Sequence, residues 1–353
     1  MDFTFTEEQL LFQNSARALF QRECTGEILR NLAQTGTGRS GELWKKLAEV
    51  GVLGIQVPEA FGGMGMNEID FILIAEECGR SALPAPVMET AAIGVPLLNA
   101  VEVPSLKQEW LPNVVEGKAV FAVSHPLNVC VVDAHVADLL FLFQDAELHA
   151  VPRNQVEIHP QLCLDPSRRL FQIQWTPSPK TRIASGGEAS RLMEEVLNWG
   201  ALTCAAQQIG IGQQLVDMAV DYAKKRHQFG KPIGSFQAIK HHLATVQVKL
   251  EFAKPVVYRA AYSMAHRLPR RGLDISHAKV AASEAAVLAA KTALQCHGAI
   301  GYTGELDLHF WMKRAWALEA EWGTTAWHKA RVGNSLFQPD MALGPSATFM
   351  NRL

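Results

Sequence analysis

From Ser185 onward the sequence reads as helix and little else, and this stretch limits what the chain can become more than any other feature. A first segment runs from about Glu188 to Arg226, with Ile209, Ile211, Leu215, Met218 and Tyr222 on its apolar side. Lys224, Lys225 and Arg226 fill its last turn, where cations suit the helix dipole, and Gly230 and Pro232 stop it. A second segment starts near Ser235 and carries Phe236, Ile239, Leu243, Val246 and Leu250, with a kink expected at Pro255. A third, alanine-rich and so suited to close helix packing, covers about Asp274 to Gln295. A fourth covers Asp307 to Leu336. Amphipathic helices must bury their stripes, and four in a row do so most simply against one another. The expectation is a C-terminal four-helix bundle.

The first third is also helical. Thr6 is a good N-cap before Glu7, Glu8 and Gln9. A helix from about Ser40 places Leu43, Trp44, Leu47, Ala48 and Val50 on one side, and Gly51 and Gly54 end it. Gly62-Gly63-Met64-Gly65 then demands unusual dihedrals or close backbone approach. Helical spacing returns from Glu68 to Gly79 with Ile69, Ile72, Leu73 and Ala75. Near Gly117 the texture changes. Ala119 to Val123, Val129 to Val132, Leu139 to Phe143 and Leu148 to Val151 are short apolar runs punctuated by His, Asn, Asp and Pro, a strand pattern. It lasts to about Ile183, enough for a small sheet only. The predicted plan is mainly α with a small central β domain, divided as 1–116, 117–185 and 186–353.

Composition narrows the function classes. A hydrophobic fraction of 48% over 353 residues supports a sizeable core. A net charge of -2 argues against an electrostatic nucleic-acid footprint. Six cysteines, Cys24, Cys78, Cys130, Cys163, Cys204 and Cys296, never reach CxxC spacing, so no metal site is expected and a reduced, cytoplasmic setting is. Met1 to Gln9 holds acids and no apolar core, unlike a signal peptide. No uncharged apolar run is long enough for a membrane span.

Several motifs then agree with one family. Leu43-Trp44-Lys45-Lys46-Leu47-Ala48 leads to Gly51, Gly54, Val57-Pro58-Glu59 and Phe61-Gly62-Gly63, followed by Glu76-Glu77 and Gly79-Arg80. Tyr222 to Gly230 ends in Arg-His-Gln-Phe-Gly, with Gln237 behind it, and Gln295-Cys296-His297-Gly298-Ala299-Ile300-Gly301-Tyr302 comes later. Across nearly the whole chain this order resembles the acyl-CoA dehydrogenase family. The resemblance implies that family's layout: an N-terminal helical domain, here a reduced β domain, and a C-terminal helical bundle. It also implies FAD, shared across a subunit interface. Arg226, Phe229, Gln237, Gln295, Gly298 and Ala299 match positions that hold the neighbouring subunit's FAD, and Thr324 matches a contact in a subunit's own site. The chemistry is apt, since a pyrophosphate suits a forked guanidinium and backbone N–H groups that glycine leaves accessible.

The family's catalytic carboxylate is missing from both of its usual places. Trp322 stands before Gly323-Thr324, and Gly200, between Trp199 and Ala201, stands on the first bundle helix. Glu194 and Glu195 lie more than a helical turn away and read as surface acids. Glu321 and Glu319 flank Trp322, but on a continuous helix Glu321 would point about a quarter turn aside. The loop Val123-Ser124-His125-Pro126-Leu127-Asn128-Val129-Cys130 loses the acid and the small residues found in relatives, and no Trp-Ile-Thr element follows. Elements given to a neighbour are kept, whereas elements for the chain's own flavin and substrate are lost. This resembles the degenerate subunit of bacterial α2β2 acyl-CoA dehydrogenases that handle steroid side-chain thioesters. The implied partners are a homologous subunit, an acyl-CoA and an electron-transfer flavoprotein. Two other readings stand: a self-sufficient homo-oligomer with Glu321 or Glu319 as a displaced base, and a non-catalytic scaffold. Of the remaining candidates, His241-His242 diverge on a helix, His297 reads as a packed or backbone-bonded histidine, and Trp311, Trp316 and Trp322 read as core.

Overall fold

The computed structural model describes residues 4–338. Its N-terminal part is helical: α1 (Glu7–Glu23), α2 (Gly26–Gln34), α3 (Gly41–Glu49), α4 (Glu68–Arg80), α5 (Val95–Ala100) and α6 (Pro104–Val115). Thr6 caps α1 in a full capping box, with its side chain accepting from the Gln9 N–H and the Gln9 side chain accepting from the Thr6 N–H. The glycine run is a tight turn, Gly62 at φ 85° and Gly65 at φ 62°. A Cβ on Gly63 would lie 2.1 Å from the Val57 carbonyl oxygen. The helical character of 88–115 is not legible in the sequence, because Pro84, Pro86, Pro96, Pro104 and Pro112 punctuate it. Here a π-helical turn, Met88–Gly94, precedes α5, and prolines occupy the first turns of α5 and α6, where a missing N–H costs nothing.

The middle region departs from the single small sheet expected. Seven strands form two sheets: β1 (Phe121–Val123), β2 (Val131–Val132), β3 (Leu139–Gln144), β4 (Glu147–Pro152), β5 (Glu157–Gln161), β6 (Leu170–Gln174) and β7 (Arg182–Ser185). One sheet has the order β1-β3-β4-β7, with β1 and β3 parallel and the other pairs antiparallel, and the other has β2-β6-β5, all antiparallel. The reason lies in Leu139-Leu140-Phe141-Leu142, an uninterrupted apolar run buried on both faces. Leu139 and Phe141 join the main core, while Leu140 and Leu142 join a second core with Val131, Val151 and Phe171. The second sheet covers that other face.

The bundle comprises α7 (Gly186–Lys225), a hairpin of β8 (His227–Gln228) and β9 (Lys231–Pro232), α8 (Gln237–Ala265), α9 (Arg271–His297), α10 (Leu308–Ala320) and α11 (Thr325–Leu336). Two expectations need correction. The first helix ends at Lys225 and turns into a hairpin before Gly230 is reached. The fourth stretch is two helices, broken at 321–324. The break has a cause outside its own sequence. Lys279, fully buried on α9, donates to the carbonyls of Leu318 at 2.6 Å and Glu319 at 3.2 Å and so closes the end of α10. Trp322 and Gly323 then take positive φ, and Thr324 caps α11 by accepting from the Trp327 N–H.

The N-terminal helices dock on α7 at a crossing of two glycines. A Cβ on Gly79 would lie 2.0 Å from the Gln207 carbonyl oxygen, and one on Gly210 would lie 1.9 Å from that of Glu76. Both meet backbone, which cannot move aside as a side-chain tip can. Gly210→Ala is therefore expected to destabilise the fold by about 1–3 kcal/mol through overpacking, despite alanine's better helix propensity. Urea unfolding checks this, and an unchanged midpoint would mean that the helices are not in backbone contact.

Candidate functional site

Gly200 and Trp322, separate in sequence, are brought into contact. A Cβ on Gly200 would lie 2.2 Å from the Trp322 ring, so the indole fills the space that a side chain at either position would use. Trp322 is buried and held from several sides. Its backbone N–H donates to Asn128 Oδ1 at 2.9 Å, and the His125 ring lies 5.7 Å from its own. Its carbonyl accepts from His328 Nε2 at 2.9 Å, which makes His328 Nδ1 the acceptor for Ser276 Oγ. Burial keeps both histidines neutral, with each pKa lowered to about 4. The loop 125–130 thus holds Trp322 in place, by Asn128 at its backbone and by His125 at its ring.

Beneath Trp322 a cleft remains between α7, the π-helical turn and the sheets, with a volume of about 30 Å³. That is room for a water or so, whereas small-molecule sites measure roughly 300–1,000 Å³. Its lining is ionic. Arg168 meets Glu321 at 2.5 Å, Arg39 grips Asp133 through Nε at 3.0 Å and Nη2 at 2.6 Å, and Arg314 meets Asp165 and donates to Ser167 Oγ at 2.7 Å. Burial resists ionisation of Asp165, but Arg314 and Ser167 outweigh it and lower its pKa. Glu89, carried in by the π-helical turn, has no arginine of its own. Burial first, then the carboxylates of Asp133 and Glu321, push its pKa up to about 7.

The break between α10 and α11 corrects the geometry predicted for Glu321. It does not sit on a helix a quarter turn aside, but in extended backbone just past α10, with its carboxylate turned into the cleft beside Arg168 and Cys204. Glu319 does not enter the cleft, and its Oε1 accepts from the Thr325 N–H. Glu195 is not a surface acid either: it is buried and paired with Arg271. Glu194 is half exposed and paired with Arg331.

The remaining predicted residues gather elsewhere. The end of α7, the start of α8 and the end of α9 share one end of the bundle, and Tyr222 stacks on His297 at 4.3 Å to tie them together. His297 is indeed backbone-bonded, through Nδ1 and the Ala293 carbonyl. Arg226, Phe229, Gln237, Gln295, Gly298 and Ala299 all stand exposed there. The Arg226 side chain has no partner among the described residues. Phe229, at φ 53° in the two-residue turn of the hairpin, is 91% exposed. This is a strained position for an aromatic residue, where Asn or Gly is usual. Gly298, at φ 67°, has open space where a Cβ would lie. A free guanidinium, an exposed ring and an open glycine backbone fit one edge of a flavin dinucleotide, whereas the filled cleft does not fit a flavin ring. Thr324 is exposed and occupied in capping α11. Sequence reasoning missed Glu89, Arg39, Asp133 and Arg168, because they come from four separate segments and follow no local motif.

Comparison with known proteins agrees with this architecture. The profile described as "Acyl-CoA dehydrogenase, N-terminal domain" matches residues 6–118, and "Acyl-CoA dehydrogenase, C-terminal domain" matches 190–337. The chain is 30% identical to the acyl-CoA dehydrogenase IpdE2 of Mycobacterium tuberculosis over 310 residues, 88% of this chain and 91% of that one. Its fold is shared with a chain of the ChsE4-ChsE5 complex from Mycobacterium tuberculosis, with a TM-score of 0.85, 22% identity, and coverage of 97% of this chain and 100% of that one. It is also shared with the Tcur3481-Tcur3483 steroid ACAD G363A variant, with a TM-score of 0.83, 22% identity, and coverage of 93% and 97%. No helix among the described residues is long and apolar enough to cross a membrane.

The raised pKa of Glu89 has a measurable sign. The folded chain holds this proton more tightly than the unfolded chain, so stability falls as pH rises from about 4.5 through about 7. Glu89→Gln is expected to remove this fall and gain about 1–3 kcal/mol at pH 8 with little change at pH 4.5. Melting curves of both proteins across that range test it. Parallel pH profiles would show that Glu89 is not held protonated.

Proposed function

Because the chain belongs to the acyl-CoA dehydrogenase family, we propose that it is one subunit of a two-chain acyl-CoA dehydrogenase and completes the flavin site of a homologous partner. One observation carries this reading. The chain's own cleft is filled by Trp322, while the residues that match contacts to a neighbour's FAD stand exposed at the bundle end. The reaction is the α,β-desaturation of an acyl-CoA thioester, of the EC 1.3 type. The fold shared with a steroid ACAD favours a steroid-derived acyl group, and the fold shared with a chain of the ChsE4-ChsE5 complex favours a two-chain assembly, for which we propose α2β2. Electrons would leave through an electron-transfer flavoprotein, in the cytoplasm.

In this division of labour the present chain supplies binding and orientation. Arg226 offers a two-pronged, permanently charged donor to a pyrophosphate. Gly298 and Ala299 offer backbone approach, Gln237 and Gln295 offer amides, and Phe229 offers a ring face or edge. The flavin, when bound, supplies the hydride acceptor. The base must come from the partner, since neither Gly200 nor Trp322 can take a proton. Glu321 is spent on Arg168 and walled off by the indole.

The chain purified alone is expected to be folded and colourless. Co-expressed with the homologous chain that it completes, it should yield a yellow, active complex with one flavin per two chains. A yellow, active homo-oligomer would refute the proposal and return Glu321 to the role of base. Absorbance at the flavin band after size exclusion decides between them, with Glu321→Gln as the follow-up.

Arg226→Ala in the complex is expected to weaken FAD retention roughly 10- to 100-fold, the worth of a charge-assisted hydrogen bond, while the two chains stay together. Unchanged flavin content would overturn the cofactor assignment.

A further inference from the structure

At the opposite end of the bundle from the flavin-facing residues lies a second cavity, of about 540 Å³. The N-terminal helices form one wall, where the glycine turn delivers Met66, Asn67 and Glu68, and α5 adds Pro96 and Asn99. The bundle forms the other, with Arg191, Glu195 and Trp199 of α7 and the α8–α9 corner carrying Arg267 and Arg271. This size falls within the range of small-molecule sites, about 300–1,000 Å³.

Its charges do not balance. Glu195 is taken by Arg271, and Glu68 accepts from the Trp199 indole N–H at 2.9 Å. Arg191 and Arg267 have no ion-pair partner among the described residues. Arg267 occupies the position just beyond α8 in a Schellman turn, with its N–H on the Met264 carbonyl and the Leu268 N–H on that of Ser263. Its φ is 51°, where glycine is the favoured residue, yet the sequence puts a guanidinium there. On the inner wall, Gln56 is nine-tenths buried and its Oε1 has no hydrogen-bond partner. Asn99 Oδ1 lacks one too. Both oxygens are sealed behind the wall, so the polar groups that a ligand meets are the two arginines at the mouth.

We propose that this cavity is a binding site for an organic phosphate of nucleotide size. Arg191 and Arg267 at the mouth take its anionic group. Trp199, Met66 and Met264 line the apolar part of the cavity. The site stands apart from the flavin-facing end and does not depend on the subunit assignment.

Calorimetric titration of the full chain with ADP tests this. Arg226→Ala is carried in every protein so that the flavin-facing end contributes nothing. ADP is expected to bind, and adding either Arg191→Ala or Arg267→Gly should weaken it at least tenfold. Arg267→Gly separates binding from folding, since glycine suits the left-handed position and should keep or raise the melting temperature. Binding of ADP unaffected by both variants would overturn the proposal, as would no binding of ADP at millimolar concentration. Inorganic phosphate binding as tightly as ADP would overturn the organic part of it.

Discussion

The contact of α4 with α7 at Gly79 and Gly210 is the constraint on which the rest of the molecule depends. α7 runs from β7 to the hairpin and packs against α4, α8, α9, α10, the π-helical turn and the first sheet, so elements fixed to it are fixed relative to one another. Glycine at both positions lets the N-terminal helices come within backbone distance of that spine. The cleft, the exposed bundle end that carries Arg226 and the second cavity then fall at three levels of one helix, near 200–207, 222–226 and 191–199. A looser crossing would move Glu89 and the π-helical turn away from α7 and leave the ionic cluster without one of its walls.

That cluster shows how a cleft can be closed without becoming apolar. Three arginines face four carboxylates in a space that holds little water. Each guanidinium is matched to an acid by geometry, and the fourth acid avoids the cost of ionisation by keeping its proton. Removing one partner of any of the three ion pairs would leave a buried charge uncompensated, so the network is more restrictive than an apolar plug of equal volume. It also explains why Glu321, though turned inward, is chemically occupied.

Much of the fold was legible because it follows from local periodicity. The apolar stripes of α7, α8 and α9, the capping of α1 by Thr6, and the shift to strands near Gly117 all follow from neighbours in the sequence. What was not legible depends on distant partners. The break at 321–324 needs Lys279, some forty positions earlier, to cap α10. The second sheet needs β3 to be buried on both faces, and a run of four apolar residues does not reveal this. Motif spacing singled out Arg226, Phe229 and Gly298 because each lies in a short contiguous element, and the fold gathers them at one exposed end of the bundle. It could not locate Glu89, Arg39 and Asp133, which are joined only by the fold. The orientation of Glu321 was misread for the same reason: the helix assumed for it ends one residue earlier.

The packing of Trp322 on Gly200 also bears on how such a chain can change over time. A carboxylate placed at 200 would collide with the indole, whose nearest atom already lies 2.2 Å from where the Cβ would go. A carboxylate placed at 322 would leave a void the size of an indole between Asn128, His125 and α7, and would add a fifth acid to a cluster with three arginines. Neither single step is favourable, and only a joint replacement escapes both penalties. The contact therefore works as a ratchet, in which an indole seated over a glycine closes the single-step route to a carboxylate at either position.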